Sequence, residues 1–267
     1  MNNMRTTQPP AHQHPPAAVQ NDLVPPVEIL FDGTTSREEF IRHGEGFTSH
    51  FLIQHGALQS GDRVLDLGCG IGQKARVLST FLNSAGSYEG LDIVRSGIEW
   101  CQKAYRHLPN FQFQLADVYS KHYNPFAQFL ARDYRLPFVS GEFDFVFLSS
   151  VFTHMLPPDV ENYFSEISRV LKPGGRSVIT FFLLNAEALN GIGTGRNVIK
   201  VPHTLQEGVC RIADPTCPEI TVAYDEPYIR SLYQKHEIHV VEISYGFWCG
   251  RKDIMKSLQD VIIGVKG

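Results

Sequence analysis

Residues 64–73 read Val-Leu-Asp-Leu-Gly-Cys-Gly-Ile-Gly-Gln, a short apolar run followed by glycines at alternate positions. The run contains one carboxylate, Asp66, and the glycines are Gly68, Gly70 and Gly72. Glycine has no Cβ and readily adopts positive φ angles, so such a loop after a buried strand lets the backbone approach a ligand closely. The stretch therefore predicts a strand that ends at a nucleotide-like ligand.

The spacing of the glycines separates two kinds of ligand. In the dinucleotide fingerprint G-x-G-x-x-G the third glycine would stand at Gln73, but here it falls one residue early, at Gly72. This disfavours an NAD-dependent oxidoreductase. The pattern D-x-G-x-G-x-G instead resembles motif I of class I S-adenosylmethionine (SAM)-dependent methyltransferases. Because SAM carries no phosphate, the resemblance implies polar partners for an amino acid rather than an anion cradle.

Strands and helices alternate along the chain after residue 62. We predict strands at 63–67, 87–93, 111–116, 143–148 and 176–184, with helices at 72–83, 95–106 and 158–171. Such alternation predicts a doubly wound α/β fold with parallel strands. A helix at 228–236 precedes two closing strands at 238–244 and 260–265, which we expect to form an antiparallel hairpin. The resemblance implies the same fold, a Rossmann-like sheet of seven mostly parallel strands.

Carboxylates follow the second and third strands, where ligands bind in an open α/β sheet. Asp92 stands twenty positions after Gly72, and a carboxylate there can accept both ribose hydroxyls. Asp117 can accept from the adenine amino group, with Val118 as an apolar neighbour. For either aspartate, an ordinary solvated side chain is the alternative.

The resemblance covers roughly residues 61–184 and, by topology, the C-terminal hairpin. It implies SAM as the cofactor and S-adenosylhomocysteine as the product. Asp66 and the glycine loop should hold the methionine moiety, and one of the two serines after the fourth strand should lie beside it or the methyl group. The cofactor-binding residues implied are Asp66, Gly68, Cys69, Gly70, Gly72, Gln73, Asp92, Ile93, Asp117, Val118, Ser149 and Ser150.

His154 follows the fourth strand by six residues and is the candidate catalytic residue. A hydroxyl is barely nucleophilic until it loses its proton, and an imidazole with a pKa near 6.5 suits a general base. A structural histidine at a helix start is the alternative. No His, Asp and Glu set has metal-ligand spacing, so no metal is expected.

Domain organisation follows from composition along the chain. Residues 1–26 are Pro-rich and predict a disordered tail. Residues 27–267 predict a single methyltransferase domain with an N-terminal cap helix beginning after Ser36 and insertions near 120–138 and 185–220. The second insertion suggests a lid or substrate loop. Minor candidates for lining the cofactor mouth on the cap helix are His43, Gly44 and Phe47.

Composition restricts the class of protein and its partners. The chain has 267 residues, 43% of them hydrophobic, which excludes an intrinsically disordered protein. A formal net charge of −4 argues against a nucleic-acid partner. The absence of an eighteen-residue apolar run argues against a membrane span, and no membrane partner is expected. Five scattered cysteines fit reduced thiols in the cytoplasm. A monomer and a homodimer both remain open.

The function predicted is methyl transfer to a small-molecule acceptor, with a hydroxyl as the favoured acceptor in natural-product or glycan tailoring. Transfer to nitrogen or carbon is the alternative, and a non-catalytic SAM-binding protein is a lesser one. Residues 149–152 read Ser-Ser-Val-Phe, where nucleic-acid amino methyltransferases carry an Asn-Pro-Pro-Tyr/Phe-type motif. This departure weakens a base-methylating assignment.

Overall fold

The structure is a computed structural model that describes residues 23–31, 33–252 and 257–267. Its strands are β1 (Arg63–Leu67), β2 (Ser87–Asp92), β3 (Phe111–Leu115), β4 (Phe143–Leu148), β5 (Leu171–Phe181), β6 (Leu183–Leu184), β7 (His203–Gln206), β8 (Cys210–Ile212), β9 (Val222–Asp225), β10 (Ile238–Ser244) and β11 (Asp260–Lys266). Its α-helices are α1 (Arg37–Phe47), α2 (Gln73–Phe81), α3 (Arg95–Ala104), α4 (Pro157–Val170), α5 (Ala186–Gly193) and α6 (Glu226–Lys235).

The main sheet has seven strands in the order β3-β2-β1-β4-β5-β11-β10. Strands β1 to β5 pair in parallel, and β11 runs antiparallel to both β5 and β10. The central strands are covered on both faces, so their sequences are nearly continuous apolar runs. In β4, for example, Phe143, Phe145 and Phe147 are all fully buried. The predicted doubly wound sheet with an antiparallel C-terminal hairpin is confirmed, with β11 inside the sheet and β10 at its edge.

Helix α1 lies across the start of α2, next to the glycine loop. The Ser36 side chain caps α1 by accepting from the Glu39 amide at 3.1 Å. The Glu39 carboxylate accepts from the amide and the hydroxyl of Thr35, so it caps the residue before Ser36. A Cβ on Gly44 would lie 2.6 Å from the Gln73 carbonyl oxygen, so this glycine permits the close approach of the two helices. Helix α1 continues as a π-helix over Thr48–His55.

Residues 1–22 of the predicted disordered tail, residues 1–26, lie outside the described residues. Its last four residues differ from the prediction. Leu23 and Val24 are buried in the core, and Arg37 Nη1 donates to the carbonyl oxygens of Val24 and Pro25 at 2.9 and 3.2 Å. The packed part of the chain therefore begins before residue 27, because two apolar side chains reach the core from the end of the Pro-rich segment.

The segment after β5 is more ordered than a lid loop. It contains α5 and a second sheet of four strands in the order β6-β9-β8-β7. Strand β5 also begins earlier than predicted, at Leu171 instead of residue 176, so residues 171–175 belong to the strand. Its pairing with β4 is irregular between Phe143 and Phe145, which accommodates the glycines at 174 and 175.

Candidate active site

A cavity of about 990 Å³ opens at the carboxyl ends of β1, β2 and β4. Its wall is built from the glycine loop, the strand ends, α1 and both insertions. The predicted site residues that line it are Gly68, Cys69, Gly70, Gln73, Asp92, Ile93, Val118, Ser149, Ser150 and His154. Asp66, Gly72 and Asp117 are not among the lining residues. The sheet therefore brings most of the predicted residues together at one place.

The glycine loop turns sharply beneath the cavity. Gly68 has φ +84°, and a Cβ there would lie 2.2 Å from Val151 Cγ2. The Gly68 amide donates to the Leu91 carbonyl oxygen at 2.7 Å, which ties the loop to the end of β2. Gly70 has φ +56°, and a Cβ there would meet no atom of the described residues within 4 Å. The loop thus needs glycine at position 68 because a side chain there would clash with Val151, whereas Gly70 borders open space in the cavity.

Asp92 stands at the end of β2 and supports the same loop. One carboxylate oxygen accepts from the Gly70 amide at 2.7 Å, and the other accepts from the Val94 amide at 2.8 Å. Burial raises the pKa of this carboxyl, and the hydrogen bonds from the backbone oppose that rise. A carboxylate has about four lone-pair sites, so each oxygen can still accept a further hydrogen bond from a ligand.

Asp66 and Gly72 lie behind the cavity wall, contrary to the expectation of direct contact. Asp66 accepts from the Tyr88 hydroxyl at 2.7 Å, and its Oδ1 is buried without a hydrogen-bond partner among the described residues. Burial raises the pKa of Asp66 to about 7, against the hydrogen bond from Tyr88. Gly72 is the N-cap of α2 and faces Cys101 and Tyr105. Both residues therefore support the loop from below.

Asp117 is also placed differently from the expectation. Its side chain is exposed, and its Oδ1 accepts from the Gln128 amide at 3.4 Å. Its carbonyl oxygen accepts from the Phe129 amide at 3.2 Å, so the residue is bound to the first insertion. Val118, one position later, is buried and faces the cavity. The reason is alternation: two successive side chains in extended chain point in opposite directions.

Ser149 and Ser150 form the turn that follows β4. Ser150 has φ +63°, an uncommon value for a residue other than glycine. Its amide donates to Thr180 Oγ1 at 2.8 Å, and its hydroxyl accepts from Gln259 Nε2 at 2.9 Å. These contacts hold a strained turn at the cavity wall, and such strain is often found at functional sites.

His154 ends a single 3₁₀ turn, Phe152–His154, and its ring is half-buried at the cavity. Its Nδ1 lies 3.2 Å from the carbonyl oxygen of Glu219. A carbonyl only accepts, so Nδ1 must carry the proton, and in the neutral ring Nε2 then keeps a free lone pair. Burial lowers the pKa of His154, although the backbone contacts with Glu219 and Ile220 act in the opposite direction. The ring is therefore neutral near pH 7.

Glu219 also joins the two insertions over the cavity. Its carboxylate accepts from the Lys121 amide at 2.9 Å and from Ser120 Oγ at 3.4 Å. Lys121 Nζ in turn donates to the Thr216 carbonyl oxygen at 2.7 Å. We call residues 119–123 and 216–220 the roof segments of the cavity. Sequence reasoning missed Glu219, because no local pattern links residues 98 positions apart.

Aromatic residues that the sequence did not single out also line the cavity. They are Phe31, Tyr119, Tyr123, Tyr163 and Phe247. Of the minor candidates on α1, His43 and Phe47 line the cavity, whereas Gly44 serves the contact with α2. Asp159 is a further acidic wall residue, and it accepts from the Arg132 and Leu156 amides. One end of the cavity is thus polar and glycine-rich, and in the rest of the wall aromatic residues alternate with aliphatic and polar ones.

The part of the chain that the structure describes offers neither a metal site nor a membrane-spanning helix. Within the described ranges, no three His, Cys, Asp or Glu side chains are grouped so that they could hold a metal ion. Over the same residues, every helix is too short or too polar to span a membrane.

Comparisons with known proteins agree on one family. Residues 65–179 match the family described as "Methyltransferase domain". Sterol 24-C-methyltransferase of Saccharomyces cerevisiae is 31% identical over 141 residues, which cover 49% of this chain and 32% of that protein. Phthiotriol/phenolphthiotriol dimycocerosates methyltransferase 1 of Mycobacterium ulcerans is 36% identical over 121 residues, which cover 45% of this chain and 38% of that protein. The matched part thus spans about a third of the length of these curated relatives.

A solved structure shares the fold over most of the chain. The crystal structure of SAM-dependent methyltransferases from Methanosarcina mazei has a TM-score of 0.55 and 24% identity, and covers 80% of this chain and 96% of that chain. Strand order, glycine loop and acidic strand end together define a nucleoside-cofactor-binding α/β domain. Residues 65–179 are thus similar to a methyltransferase domain, and the comparisons favour SAM as the cofactor.

Proposed function

We propose that the protein is a methyltransferase that transfers the methyl group of SAM to a hydroxyl of a small, largely apolar acceptor. One observation carries this proposal: the glycine loop and His154 line the same cavity, and Nδ1 of His154 faces a carbonyl oxygen. A nucleoside-type binding loop and a neutral base thus share one space. The acceptor hydroxyl and the methyl donor would meet between them.

The residues at the polar end fit the chemistry of SAM. The open space above Gly70 admits a ligand against the backbone, and the carboxylate of Asp92 has lone pairs left for the ribose hydroxyls. Leu91, Ile93 and Val118 offer an apolar wall for adenine. The lining residues proposed to hold SAM are Gly68, Cys69, Gly70, Gln73, Asp92, Ile93, Val118, Ser149 and Ser150. Asp66 and Gly72 act through the loop, and Asp117 must leave its contact with Gln128 to reach adenine.

His154 is the proposed general base. When bound, SAM supplies a methyl group that its sulfonium has already activated. His154 Nε2 would take the proton of the acceptor hydroxyl, and the Glu219 carbonyl oxygen would stabilise the cationic ring through Nδ1–H. Transfer of the methyl group to the acceptor oxygen would break its bond to sulfur and release S-adenosylhomocysteine. Base catalysis of this kind contributes roughly 10²–10⁴-fold, and alignment in a water-poor cavity contributes more.

The size and lining of the cavity support an acceptor with a substantial apolar part. Small-molecule sites measure roughly 300–1,000 Å³, and this cavity of about 990 Å³ stands at the upper end, which leaves room for a cofactor and a second molecule. The names of the two curated relatives point to sterol and phthiotriol-type lipid acceptors. We therefore favour a lipophilic alcohol over a glycan.

Transfer to carbon is the second candidate. It is favoured by the relative from Saccharomyces cerevisiae, which is named a sterol 24-C-methyltransferase. Methylation of an alkene leaves a carbocation, and the faces of aromatic rings such as Tyr123 and Tyr163 attract a cation. A carbon acceptor needs no hydroxyl proton removed before attack, so the two candidates differ in their dependence on His154. Transfer to nitrogen and a non-catalytic SAM-binding role are lesser alternatives.

The test begins with binding and then turns to chemistry. Titration calorimetry with SAM, S-adenosylhomocysteine and NAD should show binding of the first two only. Asp92→Asn should weaken SAM binding, and Asp133→Asn, at an exposed aspartate that does not line the cavity, is the matched control. Tight NAD binding without SAM binding would overturn the proposal.

Acceptor chemistry is resolved by a panel of matched compounds. A lipophilic alcohol, its methyl ether and the corresponding alkene are incubated with enzyme and SAM, and products are analysed by mass spectrometry. We expect a methyl ether and one equivalent of S-adenosylhomocysteine from the alcohol, with no reaction of the blocked ether. A new carbon–methyl bond from the alkene, with an inert alcohol, would establish the second candidate instead.

A further inference from the structure

The first insertion presents large apolar side chains to solvent. Phe126 is 94% exposed, Phe129 is 50% exposed and Leu130 is 37% exposed. Scattered apolar residues on a surface are ordinary, but three within five positions of one loop form a local patch. A fully exposed phenylalanine gains nothing for the folded chain, so its place on the surface calls for a partner.

Backbone hydrogen bonds hold this loop in place. The Phe129 amide donates to the Asp117 carbonyl oxygen at 3.2 Å, and the Tyr119 amide donates to the Phe129 carbonyl oxygen at 2.7 Å. Ser120 and Asn124 exchange backbone hydrogen bonds of 3.2 and 2.9 Å. The loop is therefore anchored at its base to the end of β3, and its apolar side chains project from a defined framework.

Cationic side chains flank the apolar patch. Residues 119–135 contain Lys121, Arg132 and Arg135 with Asp133 as the acidic residue, a formal charge of +2 in a chain whose net charge is −4. All of these side chains are exposed, and in the described ranges neither guanidinium forms a salt bridge. The loop is thus a basic region on an acidic protein.

We propose that this apolar-basic loop, residues 119–135, docks onto a lipid bilayer that carries anionic headgroups. Phenylalanine and leucine enter the boundary between headgroups and acyl chains, while lysine and arginine bind the anionic headgroups. A peripheral contact of this kind needs no membrane-spanning helix. It therefore reverses the sequence-based expectation of no membrane partner without invoking a span.

A second copy of the chain is the competing occupant, and two observations count against it. The exposed parts of Phe126, Phe129 and Leu130 amount to roughly 300–400 Å², taking about 200 Å² for each full side chain, whereas a stable interface buries about 800 Å² per partner. Two copies of the loop would also bring equal positive charges together. An anionic lipid surface meets both the apolar and the electrostatic requirement.

The same insertion lines the cavity. Tyr119, Tyr123 and Ala131 face it, and the exposed apolar residues lie between positions 123 and 131. Docking would therefore bring the cavity close to the membrane, where a lipophilic acceptor resides. This last step rests on the proposed function, whereas the docking itself does not.

The docking is tested by cosedimentation of the full chain with vesicles of phosphatidylcholine alone or mixed with phosphatidylglycerol. We expect binding to the mixed vesicles at low salt and a marked loss at high salt, because salt screens exposed charges. Phe126→Ser should reduce partitioning about tenfold, and Arg132→Gln with Arg135→Gln should remove the preference for the anionic lipid. Val241→Ser, at an exposed valine of β10 that is 56% accessible, is the matched control.

The outcomes separate the alternatives. SAM titration of each variant establishes that the cofactor site is intact, and Phe126 contributes so little to packing that its replacement should not affect folding. No binding of the unmodified chain to anionic vesicles, or an equal loss in Val241→Ser, overturns the proposal. Light scattering that shows a dimer abolished by Phe126→Ser overturns it in favour of a second copy. Vesicle binding without any methyl transfer leaves the docking intact and removes only the proposed acceptor class.

Discussion

The Nδ1 atom of His154 lies 3.2 Å from the carbonyl oxygen of Glu219, and the carboxylate of the same glutamate binds the Lys121 amide. One residue of the second insertion thus contacts the proposed base through its main chain and the first insertion through its side chain. Glu219 therefore links the residue that sets the proton position on His154 to the contact that joins the two roof segments.

His154→Ala should lower kcat by roughly 10²-fold or more while SAM binding stays unchanged, because the base is lost but the glycine loop is not. In the unmodified enzyme, kcat/KM should rise with pH as the imidazole loses its proton. Burial lowers the pKa of His154, so the midpoint should lie below the usual value of about 6.5. The measurement is a pH–rate profile, with the exposed His107→Ala as control. A variant that keeps near-normal turnover and the same acid limb assigns the proton transfer elsewhere.

Glu219→Leu should separate the roof segments, since it removes the acceptor for the Lys121 amide and Ser120 Oγ. Loss of a charge-assisted hydrogen bond costs on the order of 1.5–3 kcal/mol, so we expect KM for the acceptor to rise about tenfold or more. SAM affinity should not change. Glu219→Gln, which retains an oxygen acceptor, should recover most of the effect. Glu207→Leu, an exposed position of the same insertion, should behave as the unmodified chain, and equal losses in both leucine variants would refute the specific role.

Gly68→Ala and Gly70→Ala should fail in different ways. At Gly68 the new methyl group meets Val151 and the backbone is left-handed, so unfolding free energy in urea should fall by about 2–5 kcal/mol. Adding Val151→Ala should restore part of that loss. At Gly70 nothing lies near the new methyl group, so stability should fall only by about 1 kcal/mol while SAM affinity drops more than tenfold. Unchanged SAM affinity in Gly70→Ala would show that the loop does not border the cofactor.

The ionisation of Asp66 should lower the free energy of unfolding as pH rises from about 4 to 7. Its folded-state pKa of about 7 lies above the unfolded value near 3.8, so the folded chain binds the proton more tightly across this window. By linkage, stability is greatest below the unfolded pKa and falls until the carboxyl is ionised in both states. Asp66→Asn keeps an acceptor for Tyr88 and should flatten this part of the profile. Urea unfolding at several pH values measures it, with Asp117→Asn as a control that should keep the slope.

Much of the scaffold could be predicted because its signals are local. The bounds of β1 and β4 agree with the prediction, since each is an apolar run bounded by polar or glycine residues. The small sheet of β6 to β9 was missed, because its pairing joins Leu183 to Tyr224 across a long segment. Short exposed strands such as β7 carry no apolar alternation that would reveal them.

The candidate site was predictable only in part, for reasons of side-chain direction. A strand-end pattern identifies the position of a carboxylate but not the face to which it points. Asp92 is directed to the loop and cavity, whereas Asp66 turns to Tyr88 and Asp117 to the first insertion. The contact of Glu219 with Lys121 depends on how two distant insertions fold together, and neither sequence alone contains it.

The roof segments have a consequence for altering the acceptor range of this enzyme. The Glu219 carboxylate accepts from the main-chain amide of Lys121 in the other insertion. Exchange of the second insertion would remove this acceptor, and exchange of the first would keep the bond only if the new segment placed an amide at the same point. A chimaera should therefore carry both segments from the same donor. In evolutionary terms, we expect the two insertions to change together. The residues at the cofactor end of the cavity need not change with them.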